Sequence, residues 1–124
     1  MTIRLVHHIN IATTQLEATR DFYVDVLGLM EGARPPFRSE GYWLYAGDVP
    51  VVHMQVSPIP VTGTAESALN HAAFLVDDFD ALLGRLDRHG VPYRLTVVPG
   101  TTIRQAFFLD PNGVQLELNA AVAS

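Results

Sequence analysis

Residues 110–117 read Asp-Pro-Asn-Gly-Val-Gln-Leu-Glu, a pattern that predicts a hairpin turn leading into a strand. The first half of the chain has a counterpart at residues 46–54, which read Ala-Gly-Asp-Val-Pro-Val-Val-His-Met. Aligning the two stretches without a gap places His53 opposite Glu117. One structural unit therefore occurs twice, and each copy ends in a strand that carries a residue able to bind a metal ion.

Both halves predict the same order of elements: one strand, one helix and then about three strands. In the first half we expect strands at 5–12, 42–45 and 51–56, with a helix that starts in a capping box at Thr14. In the second half we expect strands at 70–76, 93–98, 102–109 and 114–119, with a helix capped by Asp77 or Asp78.

The apolar residues of the two predicted helices fall on one side of each. In the first helix they are Phe22, Tyr23, Val26 and Leu27, and in the second they are Phe79, Leu82, Leu83 and Leu86. Gly28 and His89-Gly90 supply the expected C-terminal stops. Proline and glycine residues between Ser57 and Ser67 predict a linker between the halves.

Composition limits the classes of function. The chain has 124 residues, 48% of them hydrophobic and 17% charged, which predicts one compact domain. Its net charge is -5 and it has no basic run, so we expect neither nucleic acid nor membrane as a partner. Cysteine is absent and no apolar stretch approaches the roughly 20 residues of a membrane helix, so we expect a cytoplasmic protein.

Potential metal ligands occupy matching places in the two halves. His8 and His71 each open the first strand, while His53 and Glu117 lie in the last. Because side chains alternate along a strand, His53 shares its face with Gln55, and Glu117 shares its face with Gln115 and Asn119. Such polar faces need partners, and a divalent ion that binds all four ligands would supply them. A lone histidine in a strand is more often simply a surface or core residue.

Other residues are candidates for the pocket around these ligands. Arg34, Arg38 and Arg104 could bind an anionic substrate, or each could be an ordinary solvated arginine. Trp43 could wall the pocket. Asn10 and Gln55 share the ligand faces, where they could contact substrate or orient the histidines.

These features together resemble a known family. The paired modules, Phe22-Tyr23 with Leu27-Gly28, His71 at the start of the second module and residues 110–113 before Glu117 resemble the vicinal oxygen chelate superfamily. That superfamily includes glyoxalase I, fosfomycin-resistance transferases, methylmalonyl-CoA epimerases, extradiol dioxygenases and bleomycin-resistance proteins. The resemblance covers nearly the whole chain.

The resemblance implies a metal site and a dimer. Its ligands would be His8, His53, His71 and Glu117, binding a divalent ion among which Zn, Ni, Mn and Fe are not distinguished. Small members of the family usually form homodimers whose metal sites are built across the subunit interface. Family isomerases move a proton with a carboxylate beside the metal, and Glu117 is the candidate for that role.

The resemblance leaves the reaction open. His53 stands where glyoxalase I usually has Glu, so the second carboxylate of that enzyme is missing. Extradiol dioxygenases carry Tyr where this chain has Phe107, and a catalytic His where it has Val56. Drug-binding members typically lack the metal ligands, which this chain keeps.

We therefore predict an α+β fold of two βαβββ modules, forming a curved mixed sheet around a metal-binding pocket. The modules span 1–57 and 69–124, joined by a linker at 58–68. The predicted function is a metal-dependent enzyme acting on a small oxygenated substrate, most like a glyoxalase I-type lyase or isomerase. The alternatives are an extradiol-type dioxygenase and a non-catalytic drug- or metabolite-binding protein. Besides the metal ligands, the predicted site residues are Asn10, Gln55, Arg38, Trp43, Arg104 and Phe107.

Overall fold

The computed structural model describes residues 2–120 and confirms two βαβββ modules. The first contains β1 (Ile9–Thr13), α1 (Leu16–Asp21) with a π-helical continuation at Phe22–Val26, β2 (Met30–Gly32), β3 (Gly41–Ala46) and β4 (Val49–Val56). The second contains β5 (His71–Val76), α2 (Phe79–Arg88), β6 (Arg94–Val97), β7 (Arg104–Leu109) and β8 (Gln115–Ala120). The chain divides into two compact units, with the boundary between Val61 and Thr62.

Each unit has one four-stranded mixed sheet, and both sheets have the same strand order. The order is β1-β4-β3-β2 in the first unit and β5-β8-β7-β6 in the second. The outer β1 and β5 run parallel to β4 and β8, and the remaining pairs are antiparallel. This mixed topology with one helix per unit confirms the predicted fold class.

The repeat extends to individual strand partners. His53 lies across from Trp43 on β3 and from Asn10 on β1. Glu117 occupies the equivalent position in the second sheet, across from Phe107 on β7 and Ala73 on β5. His53 and Glu117, which the gap-free alignment of the two sequence stretches pairs, therefore occupy equivalent positions in the two sheets.

The two faces of each final strand separate core residues from ligand residues. On β8, Leu116 and Leu118 are 0% and 1% exposed, and they face the side where α2 buries Phe79, Leu83 and Leu86. On β4, Val52 and Met54 are buried in the same way. The alternation predicted from sequence is thus correct, and burial of these side chains fixes which face carries His53 and Glu117.

Two predicted boundaries in the first unit are wrong. The first strand begins at Ile9, so His8 precedes it. The capping box at Thr14 does not form, because α1 is capped by Gln15 without a side-chain hydrogen bond. The threonine side chain that contacts the start of α1 is that of Thr13. Its Oγ1 accepts a hydrogen bond from the Gln15 amide and lies 3.2 Å from Thr19 Oγ1.

The turn that precedes β8 forms as predicted. The Gly113 amide donates to the Asp110 carbonyl at 3.1 Å, and Gly113 has a φ of 79°, which glycine tolerates best. The buried Asp110 carboxylate accepts from the amides of Asn112 and Val114. This network closes the hairpin and sets the register that brings Glu117 to Phe107.

Candidate metal-binding site

In the first unit, His53 lies within a stack of aromatic rings. The ring centroids of Trp43 and His53 are 4.0 Å apart with their planes at 14°. The His8 ring stacks on His53 at 3.7 Å and 10°. Since both rings are parallel to His53 at contact distance, His53 is enclosed between them. A histidine nitrogen binds a metal through a lone pair that lies in the plane of its ring. Because the His8 and His53 rings are stacked, these lone pairs lie in parallel planes and do not point at one ion. One of the two histidines must therefore turn before both could bind the same ion.

His8 is the less constrained of the two by position. It is exposed and precedes β1, and its Nδ1 lies 2.9 Å from Nδ1 of the exposed His7. His53 is held in the middle of the sheet between β1 and β3. We therefore expect that any turn is made by His8.

The Nε2 atom of His53 is buried and has no hydrogen-bond partner among the described residues. Burial is the main cause that lowers the pKa of His53 below the ordinary value of 6.5, and the nearby His8 lowers it further. A hydrogen bond with the Pro50 backbone acts in the opposite direction. The imidazole is therefore neutral at neutral pH, the form that binds metals or accepts a hydrogen bond.

The stack gives a pH prediction. Trp43 is the single tryptophan of the chain, and a protonated imidazole quenches tryptophan fluorescence more than a neutral one. Because the pKa of His53 is lowered, we expect acidification to quench Trp43 with a midpoint below about 6.5. In the unfolded chain the pKa of His53 should be about 6.5, above its folded-state value. The stability that depends on neutral His53 should therefore be fully present above about pH 6.5 and be lost as the pH falls through the folded-state pKa. His53→Phe keeps the stack and should abolish the step; an unchanged step in that variant would assign it to another group.

In the second unit, His71 and Glu117 face each other. His71 Nε2 lies 3.3 Å from Glu117 Oε1. Two atoms bound to one ion at about 2.0–2.2 Å with a tetrahedral angle between them stand roughly 3.4 Å apart. The observed separation fits two ligands of a single ion, and it equally fits a direct ion pair between His71 and Glu117.

Amide side chains hold the Glu117 carboxylate in place. Glu117 is 4% exposed, and its Oε2 accepts hydrogen bonds from Gln105 Nε2 at 3.0 Å and Asn119 Nδ2 at 2.9 Å. Gln105 is itself oriented by Thr96, whose hydroxyl donates to Gln105 Oε1 at 2.8 Å. Both side-chain amides donate their hydrogen bonds to the same carboxylate oxygen, Oε2. The other oxygen, Oε1, is left to face His71.

His71 is also oriented by its neighbours. Its Nδ1 lies 2.9 Å from Asn70 Oδ1, which accepts from Gln115 Nε2 at 2.6 Å. Its ring meets the edge of Phe107 at a centroid distance of 5.7 Å. A partner on Nδ1 sets the tautomer in which Nε2 is free to bind a metal, as in many protein metal sites.

The predicted ligands thus form one pair in each unit, His8 with His53 and His71 with Glu117. Within residues 2–120, no group of three or more His, Asp or Glu side chains lies together as a site for a metal ion. Two atoms in these pairs are of the kind that bind a divalent metal: His53 Nε2 has no hydrogen-bond partner within residues 2–120, and Glu117 Oε1 faces His71 Nε2. Imidazole and carboxylate groups suit Zn, Ni, Mn and Fe. That all four bind one ion remains a prediction.

Of the predicted pocket residues, four lie on the ligand faces. Asn10 and Trp43 flank His53, Gln55 lies across from Ala12 and Gly41, and Phe107 flanks Glu117. Arg38 is exposed on the segment before β3.

Arg104 lies on the other face of its sheet. It alternates with Gln105 and shares the face of the buried Ala106 and Phe108. Its guanidinium pairs with Asp80 at 3.0 Å and stacks over Phe79. Arg104 therefore faces away from the His71–Glu117 pair.

Two residues that the sequence analysis did not select lie on the ligand face of the second sheet. Gln105 contacts Glu117 directly, and Arg94, across from Phe107, places its guanidinium over that ring at 4.7 Å. Strand alternation was the available signal, since Gln105 and Phe107 must share a face. The pairing of β6 with β7 places Arg94 across from Phe107. This pairing depends on the tertiary fold, so the sequence pattern did not predict it.

Comparison with known proteins identifies the family. Residues 5–118 match the family described as Glyoxalase/Bleomycin resistance protein/Dioxygenase superfamily. The chain belongs to this superfamily, which confirms the resemblance drawn from its residues.

No helix among residues 2–120 combines the length and apolar character needed to cross a membrane.

Individual relatives cover nearly the whole chain. The uncharacterized protein YaeR of Escherichia coli is 33% identical, covering 94% of this chain and 95% of its own. Glutathione transferase FosA of Serratia marcescens is 30% identical, covering 94% of this chain and 81% of its own. The crystal structure of a glyoxalase family protein from Enterococcus faecalis matches with a TM-score of 0.73 and 29% identity, covering 96% of this chain and 99% of that one.

Proposed function

We propose that the chain is a metal-dependent enzyme that acts on a small oxygenated substrate. His8, His71 and Glu117 would hold a divalent ion, with His53 as the fourth position. The 3.3 Å separation of His71 Nε2 and Glu117 Oε1 carries the proposal, because two ligands of one ion stand at about that distance. Resemblance to the family suggests a homodimer that completes each site across the interface.

The leading reaction is a glyoxalase I-type lyase or isomerase step. When bound, the metal would supply Lewis-acid stabilisation of negative charge on substrate oxygens. The chain's own residues would orient the ligands: Gln105 and Asn119 fix the Glu117 carboxylate, and Asn70 fixes the His71 ring. Glu117 is the carboxylate that would move a proton next to a carbonyl, on a face that it shares with Phe107 and with the side-chain amides of Gln105 and Asn119.

A second candidate is transfer of a nucleophile onto the substrate. Two observations favour it: the fourth position is His53 instead of a carboxylate, and the relative of Serratia marcescens is named a glutathione transferase. In that reaction the cosubstrate supplies the nucleophile, so no second carboxylate is required. The dioxygenase alternative is less well supported, since Phe107 beside Glu117 has no hydroxyl to bind a catechol oxygen.

An activity screen on metal-reconstituted protein tests the proposal. The substrates are a hemithioacetal of glutathione, glutathione with an epoxide, catechols, and 2-substituted acyl thioesters. We expect turnover that disappears with a chelator and in Glu117→Gln, and that does not consume oxygen. Oxygen-dependent turnover of catechols would favour the dioxygenase. Protein that takes up no divalent ion at neutral pH would contradict the enzyme proposal and favour a binding protein.

A further inference from the structure

The second unit contains an open cavity whose lining includes Phe107, the strand partner of Glu117. It has a volume of about 450 Å³, within the usual range for small-molecule sites. Its lining includes Phe107 and Gln115 from the ligand face, together with Arg94 and the segment Val91–Tyr93 before β6. Nothing in the metal chemistry proposed above uses Arg94 or this segment.

Strand register fixes where the cavity lies relative to the proposed metal ligands. Phe107 lies directly across from Glu117, and its ring edge meets His71. Gln115 is linked to His71 through Asn70. A molecule that contacts Phe107 at the edge of the cavity would therefore lie beside the His71–Glu117 pair.

Arg94 is the one charged residue among those that line this cavity. Its guanidinium lies over the Phe107 ring at 4.7 Å, and no carboxylate in the described part of the chain pairs with it. Arg104 on the neighbouring strand differs, because its charge is paired with Asp80. An arginine with its planar donors unpaired in a cavity is suited to an oxyanion with two or more oxygens.

The rest of the wall is mainly apolar. Val91, Pro92 and the ring of Tyr93 lie beside Arg94. The Tyr93 hydroxyl is engaged by Asp87, a hydrogen bond that raises the pKa of Tyr93. Tyr93 therefore offers its ring to the cavity wall, and this wall favours an aromatic or branched apolar ligand body.

The spacing of the strands sets the length of the ligand. Arg94 on β6 and Glu117 on β8 are separated by β7, so their backbones lie two strand spacings, or roughly 10 Å, apart. A group held by Arg94 is therefore separated from the reacting oxygens by several bonds. The anionic group and the reacting centre belong to opposite ends of the ligand.

We propose that Arg94 and Phe107 form a substrate-binding subsite for a small aromatic or branched apolar molecule that carries a carboxylate at the end remote from the reacting oxygens. This inference rests on the proposed function for the identity of the reacting end. Anion binding by Arg94 needs no metal, so the two proposals can fail separately.

The test compares a charged and a neutral probe on the metal-free chain. Binding of 3-phenylpropionate and 3-phenylpropionamide is measured by titration with NMR detection. We expect the carboxylate to bind about three- to tenfold more tightly than the amide, as for a partly exposed charge-assisted contact. Arg94→Gln should remove the difference, and Arg94→Lys should retain part of it. Phe107→Leu should weaken both probes.

Arg88→Gln on α2 is the matched control and should leave both affinities unchanged, because Arg88 does not line the cavity. Far-UV circular dichroism and thermal unfolding check that each variant is folded. Equal affinity of the wild-type protein for the two probes would overturn the inference, as would a preference for the carboxylate that survives in Arg94→Gln. Failure of metal uptake with normal carboxylate binding would contradict only the proposed function.

Discussion

Replacing Glu117 with Gln is expected to lower the affinity of the chain for a divalent metal by more than about a hundredfold. Residues behind a metal ligand typically contribute 10- to 100-fold to affinity, so loss of a charged ligand should cost more. Glu117 is buried, and its Oε1 is the oxygen that faces His71. Gln preserves the size of the side chain and one acceptor oxygen, so the variant should remain folded.

The measurement is metal content after equilibrium dialysis, together with competition against a chelator of known affinity. Glu40→Gln is the matched control, since Glu40 is an exposed glutamate before β3. It should bind metal like the wild-type chain. Full metal affinity in Glu117→Gln, with the fold intact by circular dichroism, would remove Glu117 from the ligand set.

The second large effect concerns Gln105, a positioning residue. Gln105→Met is expected to lower metal affinity by about 10- to 100-fold, because it deletes the amide that holds Glu117 Oε2 while keeping the length of the side chain. Thr96→Val should have a smaller effect in the same direction, since Thr96 acts only by orienting Gln105. In the double variant the two effects should not add, because both act through one hydrogen-bonded chain.

Metal affinity and the visible absorption spectrum of the Co²⁺-loaded protein are the two readouts. A displaced carboxylate changes the coordination geometry and therefore the spectrum, whereas a general loss of stability does not. Thr102→Val, in the exposed loop before β7, is the control for Thr96→Val. An unchanged spectrum and affinity in Gln105→Met would show that Asn119 alone suffices to fix the carboxylate.

The sequence predicted the fold well because its pattern repeats. Period-two alternation on β4 and β8 assigned Val52, Met54, Leu116 and Leu118 to the core, and all four are buried. Helix α2 is predicted from its apolar spacing and from a cap at Asp77 or Asp78. The structure uses Asp78, whose side chain accepts a hydrogen bond from the Ala81 amide. Local rules decide these features, so they are visible in the sequence.

The surroundings of the site were harder to predict. Gln105 and Arg94 reach Glu117 and Phe107 across strands, and cross-strand register depends on the tertiary fold. Arg104 was selected for its charge alone, although alternation with Gln105 already placed it on the opposite face. The stack of His8 on His53 also escaped prediction, because it depends on a segment outside regular structure.

Metal analysis of the purified wild-type chain tests the central claim most directly. If the pairs His8–His53 and His71–Glu117 serve one site, elemental analysis should find about one divalent ion per chain. Both His8→Ala and Glu117→Gln should then lose that ion, although the two residues belong to different units. A folded wild-type chain that holds no divalent ion after reconstitution at neutral pH would contradict the account, as would metal that persists in both variants.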